Sequence, residues 1–255
     1  MDERLQSRVT RYCSFGKFVS FLDSGLFLAN AQSFEDPWEG HVFHSLTAQP
    51  KNIESLAAFV SDRKQFMYVT CWHAAEHESY AMWRIYGRDD AVAIHTNGEK
   101  LKSLMATISE LHGSKPLLLT PIEYVMPSKG RLPKYEPNAT YSVSFEDKSN
   151  PEHKLWRNAM QQLLGLKPSP YEYEKEVRLI ALDADAPRFL EFSEGYVPKA
   201  RISVPIKLDS FISEVTVAPW ANAAFVNAVV AVSEKFGLTP EKVKQSRLFA
   251  SPEKR

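Results

Sequence analysis

The segment YEYEKEVRLIALD, residues 171 to 183, constrains this chain more than any other. Its second half, Val177 to Leu182, is a run of β-branched and large apolar residues of the kind that forms a buried strand. Side chains alternate along a strand, so Glu174, Glu176 and Arg178 fall on one line that continues into Ile180 and Leu182. Two kinds of fold accept such a strand. In one it lies at a half-exposed edge, and Glu176 and Arg178 form a surface ion pair of less than about 1 kcal/mol. In the other the charges point into a cleft, where a carboxylate row can hold a ribose hydroxyl, bind a metal or stabilise a cationic transition state.

Periodicity along the rest of the chain gives an α+β fold. Strands are expected at 8–14, 26–30, 66–72, 91–96, 117–125 (interrupted at Pro121), 200–206 and 213–219. Helices are expected at 16–25, 52–65, 78–87, 98–113, 151–165 and 222–237. Strands cluster late and helices do not alternate with them. That favours mixed, mostly antiparallel central sheets with flanking helices over a doubly wound sheet. We read residues 1–255 as a single globular domain, with a mobile loop region at 126–150 around Pro127, Pro133 and Pro137.

Lys plus Arg (31) equals Asp plus Glu (31), so no general field draws the chain to nucleic acid or an anionic membrane. Two cysteines without a CxxC pair argue against a disulfide framework and for a cytoplasmic setting. The start, MDERLQSRVTRY, lacks the apolar run of a signal peptide, and no window approaches the roughly 20 apolar residues of a membrane span. Only 10 glycines occur, and there is no Walker loop, Rossmann fingerprint or nucleophile elbow.

Three further stretches carry chemistry. SFEDPWEG (33–40) gathers Glu35, Asp36 and Glu39 around Pro37 and Trp38, either as an Asx-type turn or as a binding loop. HAAEH (73–77) fits the H-x-x-E-H pattern, in which His73 and His77 on a helix would hold zinc with Glu76 as base; two loop histidines are the alternative, and no metal is assigned. Trp83 and Tyr86 share a helical face, either as core or as an aromatic wall for a planar ring.

The pieces RY (11–12), SFEDPWEG, CW…ESYAMWRIYG (71–87) and YEYEKEVRLI, in that order, resemble a bacterial family, domain of unknown function 2971, over about residues 11 to 183. The family pattern carries no activity. A fainter resemblance does: a polar Arg-Tyr strand, the helix GKFVSFLDSG, the strand LFLAN and a late E-x-E strand are similar to the ADP-ribosyltransferase fold. That resemblance implies NAD as substrate, with a protein or nucleic-acid acceptor and a toxin or phage-defence setting. It implies catalytic roles for three residues. Arg11 would hold a phosphate or ribose of NAD, Glu176 would bind the nicotinamide-ribose hydroxyl and stabilise the oxocarbenium-like transition state, and Glu174 would orient the acceptor. Arg178 would keep Glu176 ionised.

Two other functions stay open on the residues: a Mg²⁺-dependent hydrolase or nuclease built on Asp36, Glu39, Glu174 and Glu176, and a non-catalytic ligand-sensing or partner-binding module. All site readings share one geometric expectation. Arg11, Tyr12, Asp36, Glu39, Trp83, Tyr86, Glu174, Glu176 and Arg178 should meet in one cleft, because buried acids need cations, a ligand or water.

Overall fold

The computed structural model describes residues 7–34, 62–87, 89–126, 142–191 and 195–250. The expected helix at 52–65 lies largely outside them, as do Asp36 and Glu39 and most of the proline-rich loop.

The architecture is α+β, with a ten-stranded, mostly antiparallel sheet and helices on its faces. Strands β1 (Arg8–Ser14), β2 (Leu26–Asn30), β3 (Met67–Ala74), β4 (Ala91–Asn97) and β5 (Leu117–Pro121) are the apolar runs of the first half. They are joined by β7 (Val143–Phe145), β9 (Glu176–Leu182), β10 (Arg201–Val204), β11 (Glu214–Val217) and β12 (Val243–Gln245). The main path runs β12-β11-β4-β1-β3-β9-β5-β7, with β2 and β10 branching from it. A small second sheet pairs β6 (Glu123–Val125) with β8 (Leu166–Pro168) in parallel.

Strand β3 makes the feature that matters most. Along one edge it pairs with β9 from Met67 to His73. Along the other, β1 takes only His73 and Ala74, and β2 takes only Tyr68 and Val69. Among the described residues Thr70, Cys71 and Trp72 have no strand beside them on that edge, so the sheet forks there.

Why β1 and β2 diverge follows from the helix between them. Helix α1 (Phe15–Ser24) buries Phe18, Phe21 and Leu22, the i, i+3, i+4 set that makes a one-sided helix. It stops at Gly25, whose φ of 79° suits glycine, and a Cβ there would sit 2.2 Å from the Val204 carbonyl oxygen. The chain therefore turns tightly into β2, which pairs with β10.

Alternation along the strands sorts the core into two faces. One face holds Val9, Cys13, Trp72, Val177 and Leu179 with α1 and helix α3 (Gly98–His112). Helix α3 is capped by Asn97 and ended by left-handed Gly113. The other face carries two separate apolar clusters. Trp156, Met160 and Leu163 of helix α4 (Pro151–Leu164) cover Val69, Ile180 and Leu182. Tyr12 and Ala93 lie under α2 (Tyr80–Met82) and the π-helical turn Trp83–Gly87 that continues it. The space between the two clusters is the site.

Candidate functional site

A cavity of about 590 Å³ opens at the fork, within the size range of small-molecule sites. Its walls include Arg11 and Tyr12 of β1, Cys71 and His73 of β3, and Glu176 and Arg178 of β9. Register builds this floor. His73 is paired with Thr10 on one side and Glu176 on the other, and Cys71 is paired with Arg178. Directly paired residues share a face, so one row of polar side chains crosses β1, β3 and β9.

Strand β9 is interior, flanked by β3 and β5, and all seven of its residues are buried. The edge-strand reading of YEYEKEVRLIALD is thereby excluded. The Glu176–Arg178–Ile180–Leu182 row is real, with its last two members in the α4 cluster. Glu174 departs from it. It belongs to a 3₁₀ turn, Ser169–Glu174, and Lys175 at φ 42° breaks the strand before Glu176. Its carboxylate still faces the same cavity.

The charges are paired as burial demands. Arg178 grips Glu176 with two hydrogen bonds, Nε to Oε1 at 2.8 Å and Nη2 to Oε2 at 3.0 Å, and its Nη1 donates to the Leu164 carbonyl. Lys167 of β8 places Nζ 3.2 Å from Glu176 Oε2 and 2.5 Å from Glu174 Oε2. Tyr86 donates its hydroxyl to Glu174 Oε1 at 2.6 Å, and the Glu176 N–H donates to the Tyr124 hydroxyl at 2.8 Å. Burial alone would raise the Glu176 pKa, but Arg178 and then Lys167 outweigh it and hold the carboxyl down to about 2. Burial, with the Glu174 carboxylate, raises the Tyr86 phenol, and burial raises the Cys71 thiol well above its ordinary value.

Arg11 and Arg178 do not stand on adjacent strands, because β3 lies between β1 and β9. By alternation Arg11 belongs to the opposite row, with Val9 and Cys13, and it reaches the cavity through the fork. There it donates to Thr70 Oγ1 at 2.9 Å and lies 4.4 Å from the centre of the Phe27 ring. Both partners are neutral.

Of the predicted set, Arg11, Tyr12, Tyr86, Glu174, Glu176 and Arg178 line the cavity. Trp83 does not. It is fully buried behind Tyr12, ring centroids 4.9 Å apart, with its indole N–H on Glu78, because the π-helical turn puts it and Tyr86 on different sides. The zinc reading of HAAEH fails on geometry: His73 is in β3, so the helical spacing to His77 does not exist. Among the described residues no group of three or more His, Cys, Asp or Glu side chains is placed to hold a metal ion. Lys167 and His73 were not predicted for this cavity. Lys167 occupies a three-residue strand defined only by its pairing with Glu123–Val125, a contact without local signal.

The fold and cavity thus define a forked α+β sheet with a buried, ion-paired carboxylate cluster facing an arginine across one cleft. The family described as "Protein of unknown function (DUF2971)" matches residues 82–179, a segment that holds Tyr86, Lys167, Glu174, Glu176 and Arg178. No curated protein matches the sequence. Among solved structures the chain is similar to Thermus sp. 2.9 DarT in complex with NAD+, with a TM-score of 0.39 and 11% identity over 94% of this chain and 96% of that one. It is also similar to the same protein in complex with ADP-ribosylated ssDNA, with a TM-score of 0.39 and 13% identity over 96% of each chain. Among the described residues no helix is long and apolar enough to cross a membrane.

Proposed function

We propose that the chain is an NAD-consuming enzyme of the ADP-ribosyltransferase type, a transferase or an NAD glycohydrolase, with the fork as its cleft. One observation carries the reading. Arg11, which has no carboxylate partner among the described residues, shares a single cavity with a buried glutamate held ionised far below neutral pH.

Each half of that arrangement fits a part of the substrate. Described lining residues include four cations (Arg11, Lys17, Lys167, Arg178) against two carboxylates, so the cleft favours an anionic ligand such as a pyrophosphate. Arg11 supplies donors for it, with the Phe27 ring shielding one face of the guanidinium. At the other end, breaking the ribosyl–nicotinamide bond builds positive charge on the sugar. A preorganised carboxylate stabilises charge that appears only in the transition state, and the grip of Arg178 fixes the orientation of Glu176. Glu174, buried and tied to Lys167, accepts from the half-exposed Tyr86, the side where an acceptor would approach. Asp36 and Glu39 complete the proposed NAD-binding set from outside the described residues. A nucleic acid or protein acceptor, in a toxin or phage-defence setting, is the biology this chemistry implies.

The Mg²⁺-hydrolase reading is less well supported, because Lys167 and Arg178 already take up the carboxylate oxygens a metal would need. The test is nicotinamide release from NAD by the purified protein, with and without single-stranded DNA. Turnover should survive excess EDTA and fall at least about 100-fold in Glu176→Gln. Equal turnover by wild type and Glu176→Gln removes the assignment. A thermal shift with NAD and no nicotinamide release would make the cleft a sensor site.

A further inference from the structure

Among the described residues two side chains that line the cleft carry a buried polar atom without a partner: Trp72, whose indole Nε1 can only donate, and His73. His73 is 4% exposed, and among the described residues its Nε2 is buried without a hydrogen bond. Its Nδ1 lies 2.5 Å from the Glu174 carbonyl oxygen. A carbonyl only accepts, so Nδ1 carries the proton and Nε2 presents a lone pair. The tautomer is thus set by the main chain, and the ring is held edge-on to Tyr12, centroids 5.9 Å apart. Leaving a buried acceptor unmet is unfavourable, and a ligand donor would recover that loss.

The other ionisable groups of the cleft are poorly suited to accept a proton. Glu176 is gripped by Arg178 and Lys167, and both oxygens of Glu174 are bonded, to Tyr86 and Lys167. Tyr12, Tyr86 and the two cysteines are held protonated by burial. Burial keeps the His73 imidazole neutral at pH 7, with its pKa below the ordinary 6.5. The charged and titratable groups facing it are Tyr12 from β1, Glu174 and Lys175 from the turn before β9, and Glu176 from β9.

We infer that His73 is the general base of this cleft, its Nε2 taking the proton from the hydroxyl, amine or water that attacks the ribosyl carbon. The inference rests on the transfer reading above. The attacking atom forms its bond to the sugar carbon, the carbon–nitrogen bond to nicotinamide breaks, and its electron pair leaves with the nicotinamide nitrogen. The released proton ends on Nε2, giving an imidazolium that Glu176, its cross-strand neighbour, helps to stabilise.

The experiment compares wild type with His73→Gln in NAD turnover from pH 5 to 8, with a ¹⁵N spectrum of the wild-type histidines at pH 7.5. The wild-type rate should fall on the acid side below pH 6.5. His73→Gln should lose about 100-fold or more in kcat, keep the KM for NAD within a few-fold, and show no acid limb. The spectrum should show His73 with Nδ1 protonated and Nε2 bare, a reading that holds even if the variant does not fold. Turnover and pH profile in His73→Gln equal to wild type, or a protonated Nε2 in the wild type, overturns the assignment and leaves the transfer reading standing. A wild type that releases no nicotinamide brings both down.

Discussion

Replacing Arg178 with Met should destabilise this protein severely, by a route that a second substitution can reverse. Arg178 is 1% exposed and holds Glu176, 5% exposed, through two hydrogen bonds in the middle of a buried strand. Burial pushes the Glu176 carboxyl up, yet Arg178 and Lys167 bring it to about 2 in place of the ordinary 4.5. At 1.36 kcal/mol per tenfold change in proton affinity, that difference contributes about 3 kcal/mol to folding at pH 7. Because the folded value is the lower one, the contribution is present above pH 4.5 and is lost as pH falls toward 2. Met keeps the aliphatic volume of Arg178 and removes its charge, leaving Glu176 with Lys167 alone. The expected loss is about 3 kcal/mol at pH 7, the low end for breaking a buried pair, because Lys167 at 3.2 Å still offsets part of the charge. Adding Glu176→Gln should return a good part of it, because the group that lost its arginine is then neutral. Urea unfolding of the three variants measures this. A loss under 1 kcal/mol in Arg178→Met, or a double variant no more stable than the single one, would refute the claim that the pair is a desolvated unit.

Other outcomes follow from the same geometry. Arg11→Met should weaken NAD binding about tenfold or more while changing urea stability little, since only a hydroxyl and a ring lose a partner; isothermal titration calorimetry reads the first. His95 is buried between Thr10 and Thr216, with Arg8 donating to its Nδ1, and burial holds it neutral well below its ordinary pKa. Stability should therefore fall by up to about 1.4 kcal/mol for each pH unit below 6.5; His95→Gln, measured by urea titration at pH 7 and 5.5, should flatten that slope. Gly25→Ala should cost about 2 kcal/mol or more, because φ is 79° and the new Cβ meets the Val204 carbonyl; thermal melting is sufficient to see it.

The strands and helices with one-sided apolar patterns were legible in the sequence: RVTRYCS became β1 and GEKLKSLMATISELH became α3, with Asn97 and Gly113 at its ends. The short strands β7, β8 and β12 were not, because three residues hold no period and their pairing comes from partners far along the chain. The same division applies to the site. Charge alternation announced Glu176 and Arg178, whereas Glu174 reaches the cavity through a turn that Lys175 creates at positive φ. Lys167 reads locally as a surface lysine after a helix, and only the return of β9 beside it makes it a counter-ion. His73 fell just past the strand expected at 66–72, as either half of a helical metal pair or a loop histidine, since nothing near it reveals that the strand runs on to Ala74.

The fork has a consequence for how such a cleft can change over time. Its opening is made by strand pairing, with β1 and β2 each taking one end of β3 and leaving Thr70 to Trp72 between them. The side chains of Cys71 and His73 line the slot without setting its backbone pairing, so the chemistry performed there can drift without a new fold. What cannot drift cheaply is the tight turn at Gly25, which fixes where β2 leaves β1. A cleft of this construction is conservative in its backbone and permissive in its function.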